Sequence, residues 1–303
     1  IVVVALGAWR LWPLPAAVIP LGVALPDAQS PAGLRFALIK TGEATTLEAM
    51  VVADGSLVRP TRIGHIAVLV EHPQGRFLFD SGLGTRIDEQ FGDGMSAWAK
   101  PIFAYQHANP AIDQLKAAGI AAPPRIFLSH AHWDHASALV DFPQAEIWLP
   151  APEREAASHG QPPAFLPSQL NSPEIRWHPF AFDGPAYAGF PASLDLFGDG
   201  SAVLLPLPGH TAGSTGLLLS LAGGHRYFFV GDTAWNHLGI DRPAPKFSVS
   251  SLIVDADRDA VWQAVLKLRG LRDANPDLVI VPAHDSSVHD PLGYFPQFVG
   301  EAP

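Results

Sequence analysis

Short apolar runs bounded by glycine, proline or charged residues recur along the chain and predict strands. They fall at Phe36–Ile39, around Leu47 to Val52, at Gly64–Glu71, Arg76–Phe79, Arg125–Leu128 and Ala145–Leu149. Others lie near Ile175 and at Leu194–Phe197, Ala202–Leu205, Gly216–Leu219, Tyr227–Val230 and Val279–Val281. His72-Pro73-Gln74-Gly75 between two of them is a hairpin signal. Two stretches carry helical signals instead. Pro110 to Gly119 has Asn109 to cap it, proline at its first position and glycine at its end. From about Arg258 to Arg269, Val261, Ala264, Val265 and Leu268 line one face and Gly270 closes the segment.

Two stretches fit neither period. Residues 91–107 carry Phe91, Met95, Trp98, Phe103 and Tyr105 among glycines and polar residues, which predicts a loop or short helices lying over something. Pro150 to Pro173 is rich in proline and reads as a surface excursion. Ahead of the first strand, Ile1 to Trp9 is continuously apolar, Arg10 follows, and Pro26 to Pro31 reads as a linker. Nine apolar residues are too few to span a bilayer alone, so residues 1–30 are expected to be the remnant of an export signal or membrane anchor plus linker. Residues 31–303 are then the catalytic domain. That reading expects an exported, periplasmic or membrane-anchored protein with an N-terminal membrane association; without it the cytoplasm is expected.

Composition narrows the class. Hydrophobic residues make up 48% and charged residues 16% of 303 positions, enough to bury a substantial core. Thirty prolines and 27 glycines fit many short elements joined by defined turns. A net charge of −10 without any lysine or arginine run argues against nucleic acid as a partner. No cysteine is present, so disulfides and thiolate metal ligands are excluded.

The chemistry concentrates where the strand Arg125–Leu128 ends. Ser129-His130-Ala131-His132-Trp133-Asp134-His135 places four potential metal ligands within six residues. Imidazole and carboxylate suit zinc and similar divalent ions, and a single ion cannot use all four at this spacing. His130 and His132 can face one ion while Asp134 and His135 turn toward a second. One histidine here would read as an ordinary polar turn; three with an aspartate do not.

The H-x-H-x-D-H pattern resembles the signature of the metallo-β-lactamase superfamily. Leu207 to Ser214 resembles that family's P-G-H-T-x-G-S loop, Phe228 to Thr233 its strand-G-D element, and Val279 to Asp285 its last strand with a terminal histidine. Phe77 to Gly82 matches its early strand-D-x-G element. The resemblance implies an αββα sandwich of two sheets and a centre of two divalent ions, zinc first, with iron, manganese or cobalt as alternatives. It assigns His130, His132 and His210 to one ion and Asp134, His135 and His284 to the other, with Asp232 between them. A hydroxide bridging the ions is the implied nucleophile, aimed by Asp134, and Asp80 and Asp285 are expected to orient ligand histidines from behind.

Within the superfamily the spacing from His210 to Asp232 is similar to that of the acyl-homoserine lactonases, so a small-molecule lactone or carboxylic ester is the expected substrate. Phosphotriester or phosphodiester cleavage, and a mononuclear-iron persulfide dioxygenase, are the alternatives. Those lactonases commonly carry a tyrosine three residues after the bridging aspartate, where this chain has Trp235. Indole cannot protonate a leaving group, so Trp235 is expected to line an apolar pocket or hold a substrate oxygen. Trp98, Phe103, Tyr105 and His107 are the other expected substrate contacts. The remaining histidines, His65 among them, read by default as surface or structural residues.

Overall fold

The computed structural model describes residues 17–300, so the apolar segment expected to be an export signal or anchor lies largely outside the described residues. None of the helices among the described residues is long and apolar enough to cross a membrane. Eleven strands among the described residues form two sheets. The first holds β1 (Arg35–Leu47), β2 (Pro60–His72), β3 (Gly75–Phe79), β4 (Arg125–Phe127), β5 (Glu146–Pro150) and β6 (Arg176–Phe180), hydrogen-bonded in that order. The second holds β7 (Leu194–Asp195), β8 (Ala202–Pro206), β9 (Thr215–Ser220), β10 (Arg226–Phe229) and β11 (Leu278–Val281), with β11 and β7 at its edges.

Both faces of the central strands are buried, which is why those strands read as continuous apolar runs. Ile66, Val68 and Val70 of β2 enter the core between the sheets with Phe36, Phe77, Phe127, Leu204, Leu217, Leu219 and Phe229. The alternate residues Ala67 and Leu69 point the other way, toward Leu115, Ile126 and Ile147 on the helical side of the first sheet. On the outer face of the second sheet, Val203, Leu205, Leu218, Phe228 and Ile280 pack on Trp262, Val265, Leu268 and Leu271. The result is the expected αββα sandwich with three apolar layers.

Several local expectations change. The run from Leu47 to Val52 is not a strand: β1 ends at Leu47 and Glu48–Val51 turns as a short helix, with the Glu48 carboxylate accepting the backbone N–H of Ser56 at 2.7 Å. The helix after Asn109 spans Ala111–Ala117 and is preceded by Pro110, with no side-chain cap. The last long helix spans Arg258–Ala274 and runs through Gly270 rather than ending there. Glycine is needed at 270 for packing, since a Cβ would lie 2.4 Å from the carbonyl oxygen of Pro20. Packing extends back past residue 31: Leu25 is buried in that layer, and its N–H donates to the Asn275 side chain at 2.8 Å.

Candidate metal centre

The strands β3, β4, β8, β10 and β11 all deliver their carboxyl ends to one edge of the sandwich, and the polar motifs sit in the loops that follow. Rigid strands ending in short loops hold ligands still. After β4 the chain passes through Ser129 to His132 and enters the helical turn Trp133–Ala136. His210 comes from the β8–β9 connection, Asp232 from the turn after β10 and His284 from the loop after β11.

Seven side chains converge there. The Nε2 atoms of His130 and His210 are 3.2 Å apart, and His210 Nε2 is 3.4 Å from Asp232 Oδ2. His132 completes a group whose donor atoms lie within 4.8 Å of one another. On the other side, Asp232 Oδ1 is 3.0 Å from His284 Nε2 and 3.3 Å from His135 Nε2. Asp134 Oδ2 is 3.3 Å from His284 Nε2 and 3.8 Å from His135 Nε2. An ion holding nitrogen and oxygen donors tetrahedrally at 2.0–2.2 Å sets them about 3.4 Å apart, which is the spacing found here. His135 Nε2 and Asp232 Oδ1 are buried with no hydrogen-bond partner among the described residues, as atoms reserved for a cation would be. The donor set therefore fits divalent metal, in two groups that share Asp232.

Behind the donors, four of the five histidines are fixed through Nδ1, which turns Nε2 inward. His135 Nδ1 is 2.8 Å from Asp80 Oδ2, His130 Nδ1 is 3.0 Å from Ser129 Oγ, and His284 Nδ1 is 2.9 Å from the Gly64 carbonyl. Asp80 also accepts the Ser129 N–H and hydroxyl, both at 2.7 Å, and adopts a left-handed φ of 60°, a strained conformation that these bonds hold in place. His210 Nδ1 is 2.6 Å from Asp255 Oδ1, which also accepts from the buried Lys246 ammonium at 2.6 Å. Asp285, expected behind a ligand histidine, instead accepts the backbone N–H of His237 at 2.7 Å, pairs with its ring at 2.6 Å and caps the helix that starts at Ser286.

Three further groups support the donors, and two of them carried no signal in the sequence. Asp255 and Lys246 are one. Glu153, in the proline-rich excursion, is fully buried and ties two ligand loops together: it accepts the Ala131 N–H at 2.8 Å, the Gly213 N–H at 3.0 Å and the Thr211 hydroxyl at 2.5 Å. Position 213 needs glycine, because a Cβ would sit 2.5 Å from the Glu153 nitrogen. The third is His65 on β2, buried, with Nδ1 3.2 Å from Asp134 Oδ2. Its signal was a polar residue at the head of a buried apolar run.

Charge follows from the same geometry. Burial, then neighbouring imidazoles, lowers His130 and His132 well below the ordinary histidine value, and burial lowers His65. Burial acts the same way on His135 and His284, but the carboxylates beside them win and raise both. Asp134 and Asp232 are lowered against burial by those histidines. The carboxylates thus favour positive charge beside them; a divalent ion bound there would supply it with both imidazoles neutral, as ligands must be. Burial raises Glu153 in spite of its three donors.

Above the donors opens a cavity of about 350 Å³. His132, Asp134, His210, Asp232 and His284 border it, with walls that include Met50, Val51, Ile63, Ile102, Phe103, Val254 and Trp235. Of the expected substrate contacts, Phe103 and Trp235 therefore face it. Trp98 is 54% exposed and lies outside the lining. Tyr105 packs on Phe91 and Trp133 and donates its hydroxyl to Asp88 at 2.5 Å, and the exposed His107 lies 3.9 Å from Glu43. Met95 is buried in a satellite core with Leu83, Ile87 and Leu166, which explains why residues 91–107 looked apolar without looking helical. The Trp235 N–H is not free for a substrate oxygen, since it donates to Asp232 Oδ2 at 2.7 Å.

Residues 61–284 match the Metallo-beta-lactamase superfamily. A probable metallo-hydrolase of Mycobacterium tuberculosis is 28% identical over 239 residues, covering 73% of this chain and 74% of that protein. The N-acyl homoserine lactonase AttM of Rhizobium radiobacter is 25% identical, over 76% of this chain and 85% of its own. Among solved structures, an N-acyl homoserine lactone hydrolase with N-hexanoyl-L-homoserine at its catalytic metal centre superposes with a TM-score of 0.69 at 17% identity, covering 89% of this chain and all of that one. The dizinc quorum-quenching lactonase AidC superposes at 0.61 with 18% identity, over 88% and 91%. These two likenesses are of fold.

Proposed function

The chain belongs to the metallo-beta-lactamase superfamily of hydrolases, and from that premise we propose that it opens lactones or cleaves carboxylic esters at a centre of two divalent ions. The observation that carries this reading is the pairing of two donor groups that share Asp232 beneath a largely apolar cavity. When bound, such a pair of ions lowers the pKa of water toward neutrality and polarises the oxygen of a bound carbonyl. The residues of the chain do the rest. Asp232 presents one oxygen to each donor group, His130, His132 and His210 serve the first position, and Asp134, His135 and His284 serve the second. Asp80, Ser129, Asp255 and the Gly64 carbonyl fix the imidazoles, so little reorganisation is required during reaction.

The cavity sets the substrate class. None of the described residues lining it is a lysine or arginine, and the nearby Lys246 is committed to Asp255, so an anionic phosphodiester finds no cationic side chain there. An uncharged ester or lactone suits apolar walls with polar groups at one end. The lactonase names of relatives and of similarly folded structures support the carbonyl substrate. Trp235 holds Asp232 and takes no part in proton transfer.

The test is a panel of lactones, aryl carboxylic esters, phosphotriesters and phosphodiesters, assayed on protein of measured metal content. The expected result is the highest kcat/KM on lactones or carboxylic esters. Turnover confined to phosphate esters would overturn the substrate assignment. Activity with one iron per chain on a persulfide would overturn the hydrolytic one.

A further inference from the structure

We propose that His65 is a further metal-binding residue of this centre, a nitrogen donor to the ion position formed by Asp134, His135 and His284. The inference rests on the two-ion reading above and extends it to a residue outside the sequence motifs.

His65 lies on β2, where Ile66 to Val70 are buried among apolar side chains on both faces of the sheet. An imidazole in such a place is costly unless its nitrogens find partners. Its Nδ1 is buried with no hydrogen-bond partner among the described residues, although Asp134 Oδ2 lies only 3.2 Å away. Close approach without a hydrogen bond is how two donors to a common ion are arranged. His65 Nδ1, an Asp134 oxygen and a His284 nitrogen all lie within 4.8 Å of one another.

The backbone keeps the ring in that position. The pairing of β1 with β2 shifts register between Lys40 and Gly42, making Thr41 an extra residue opposite His65. Bulges of this kind re-aim side chains beside functional sites. The Thr41 hydroxyl donates to the His65 carbonyl at 3.0 Å and accepts the Leu83 N–H at 3.0 Å, which locks the bulge. One residue earlier, the Gly64 N–H donates to the His284 carbonyl at 3.1 Å, and the Gly64 carbonyl is 2.9 Å from His284 Nδ1. β2 thus holds a candidate donor, His284, from behind, and the next residue brings its own imidazole edge-on to that ring at a centroid distance of 5.3 Å.

With His65 included, each ion position has three imidazoles: His130, His132 and His210 for one, and His65, His135 and His284 for the other. Asp232 is common to both, and Asp134 belongs to the second. A nitrogen-rich second position favours zinc, cobalt or iron over magnesium or calcium.

The experiment compares wild type with His65→Ala and with His65→Leu, which fills the space without offering a donor. Metal-free proteins, checked for folding by thermal unfolding, are titrated with zinc against a chromophoric chelator and with cobalt by visible absorption. The expected result is two ions in the wild type. Both variants should bind the first ion unchanged and the second at least about 10-fold more weakly, with an altered cobalt spectrum for that ion. Two ions with unchanged affinity in the variants would overturn the inference and leave the two-ion reading standing. A weaker second ion with an unaltered cobalt spectrum would also overturn it, making His65 a support for Asp134. A wild type that binds one ion overturns both.

Discussion

Asp232 sits between two groups of imidazoles, with His210 Nε2 3.4 Å from one oxygen and His284 Nε2 3.0 Å from the other. Asp232→Asn keeps the shape and removes the charge that offsets repulsion between two dications. The variant should retain at most one ion and lose roughly two orders of magnitude or more in kcat, the scale of one preorganised electrostatic contact; metal analysis beside steady-state kinetics checks this. Behind His210, burial opposes the charge of Asp255, but Lys246 and His210 hold its carboxyl below the usual range. Asp255→Asn and Lys246→Met should each weaken zinc binding by about 10–100-fold, read by chelator competition. A different pH effect belongs to His289, which is fully buried and donates from Nε2 to the Pro282 carbonyl at 2.8 Å. Burial lowers its pKa from 6.5 to about 4. Between those values the unfolded chain binds the extra proton, so stability is present above the higher value and falls as pH drops toward the lower. The loss is on the order of 3 kcal/mol. Urea midpoints of metal-free wild type and His289→Gln should differ in slope across that window, with the variant flatter. The candidate ligands of the motif were legible because His130, His132, Asp134 and His135 crowd six residues; Asp255 was not, since it meets His210 from 45 positions away through a fold the sequence does not display.

At the level of elements, buried strands were the most readable feature, because both faces of the central strands are covered and their apolar runs have no gaps. Leu47 to Val52 misled for the same reason: Val51 and Val52 are buried in a small cluster with Ala244, and burial alone does not distinguish a strand from a turn of helix. The segment 91–107 divides into parts that its composition blended. Met95 serves a satellite core, Trp98 faces solvent and Phe103 borders the cavity. Phe103→Ala should raise KM for long acyl substrates more than for short ones, by a factor equivalent to about 1–3 kcal/mol, with metal content unchanged. Trp98→Ala should leave that ratio as it is. Equal effects of Phe103→Ala on long and short substrates would place the ring in the core instead.

For the whole molecule, the sandwich brings the carboxyl ends of strands from both sheets to one edge, so candidate ligands more than 150 positions apart in the chain, His130 and His284, share one site. Metal removal should accordingly lower the unfolding temperature, because ions bound only by the folded state stabilise it. The sandwich itself was expected from motif resemblance, since the order of strands in a sheet is set by long-range pairing that local periodicity does not carry. Two ions held around Asp232 are proposed to act together on an ester or lactone. The direct measurement is hydrolysis of one lactone followed while metal-free protein is titrated with zinc, bound metal being counted at each point. Activity should climb with the second ion and level off at two per chain. Full activity at one ion per chain, or none at two, would contradict it.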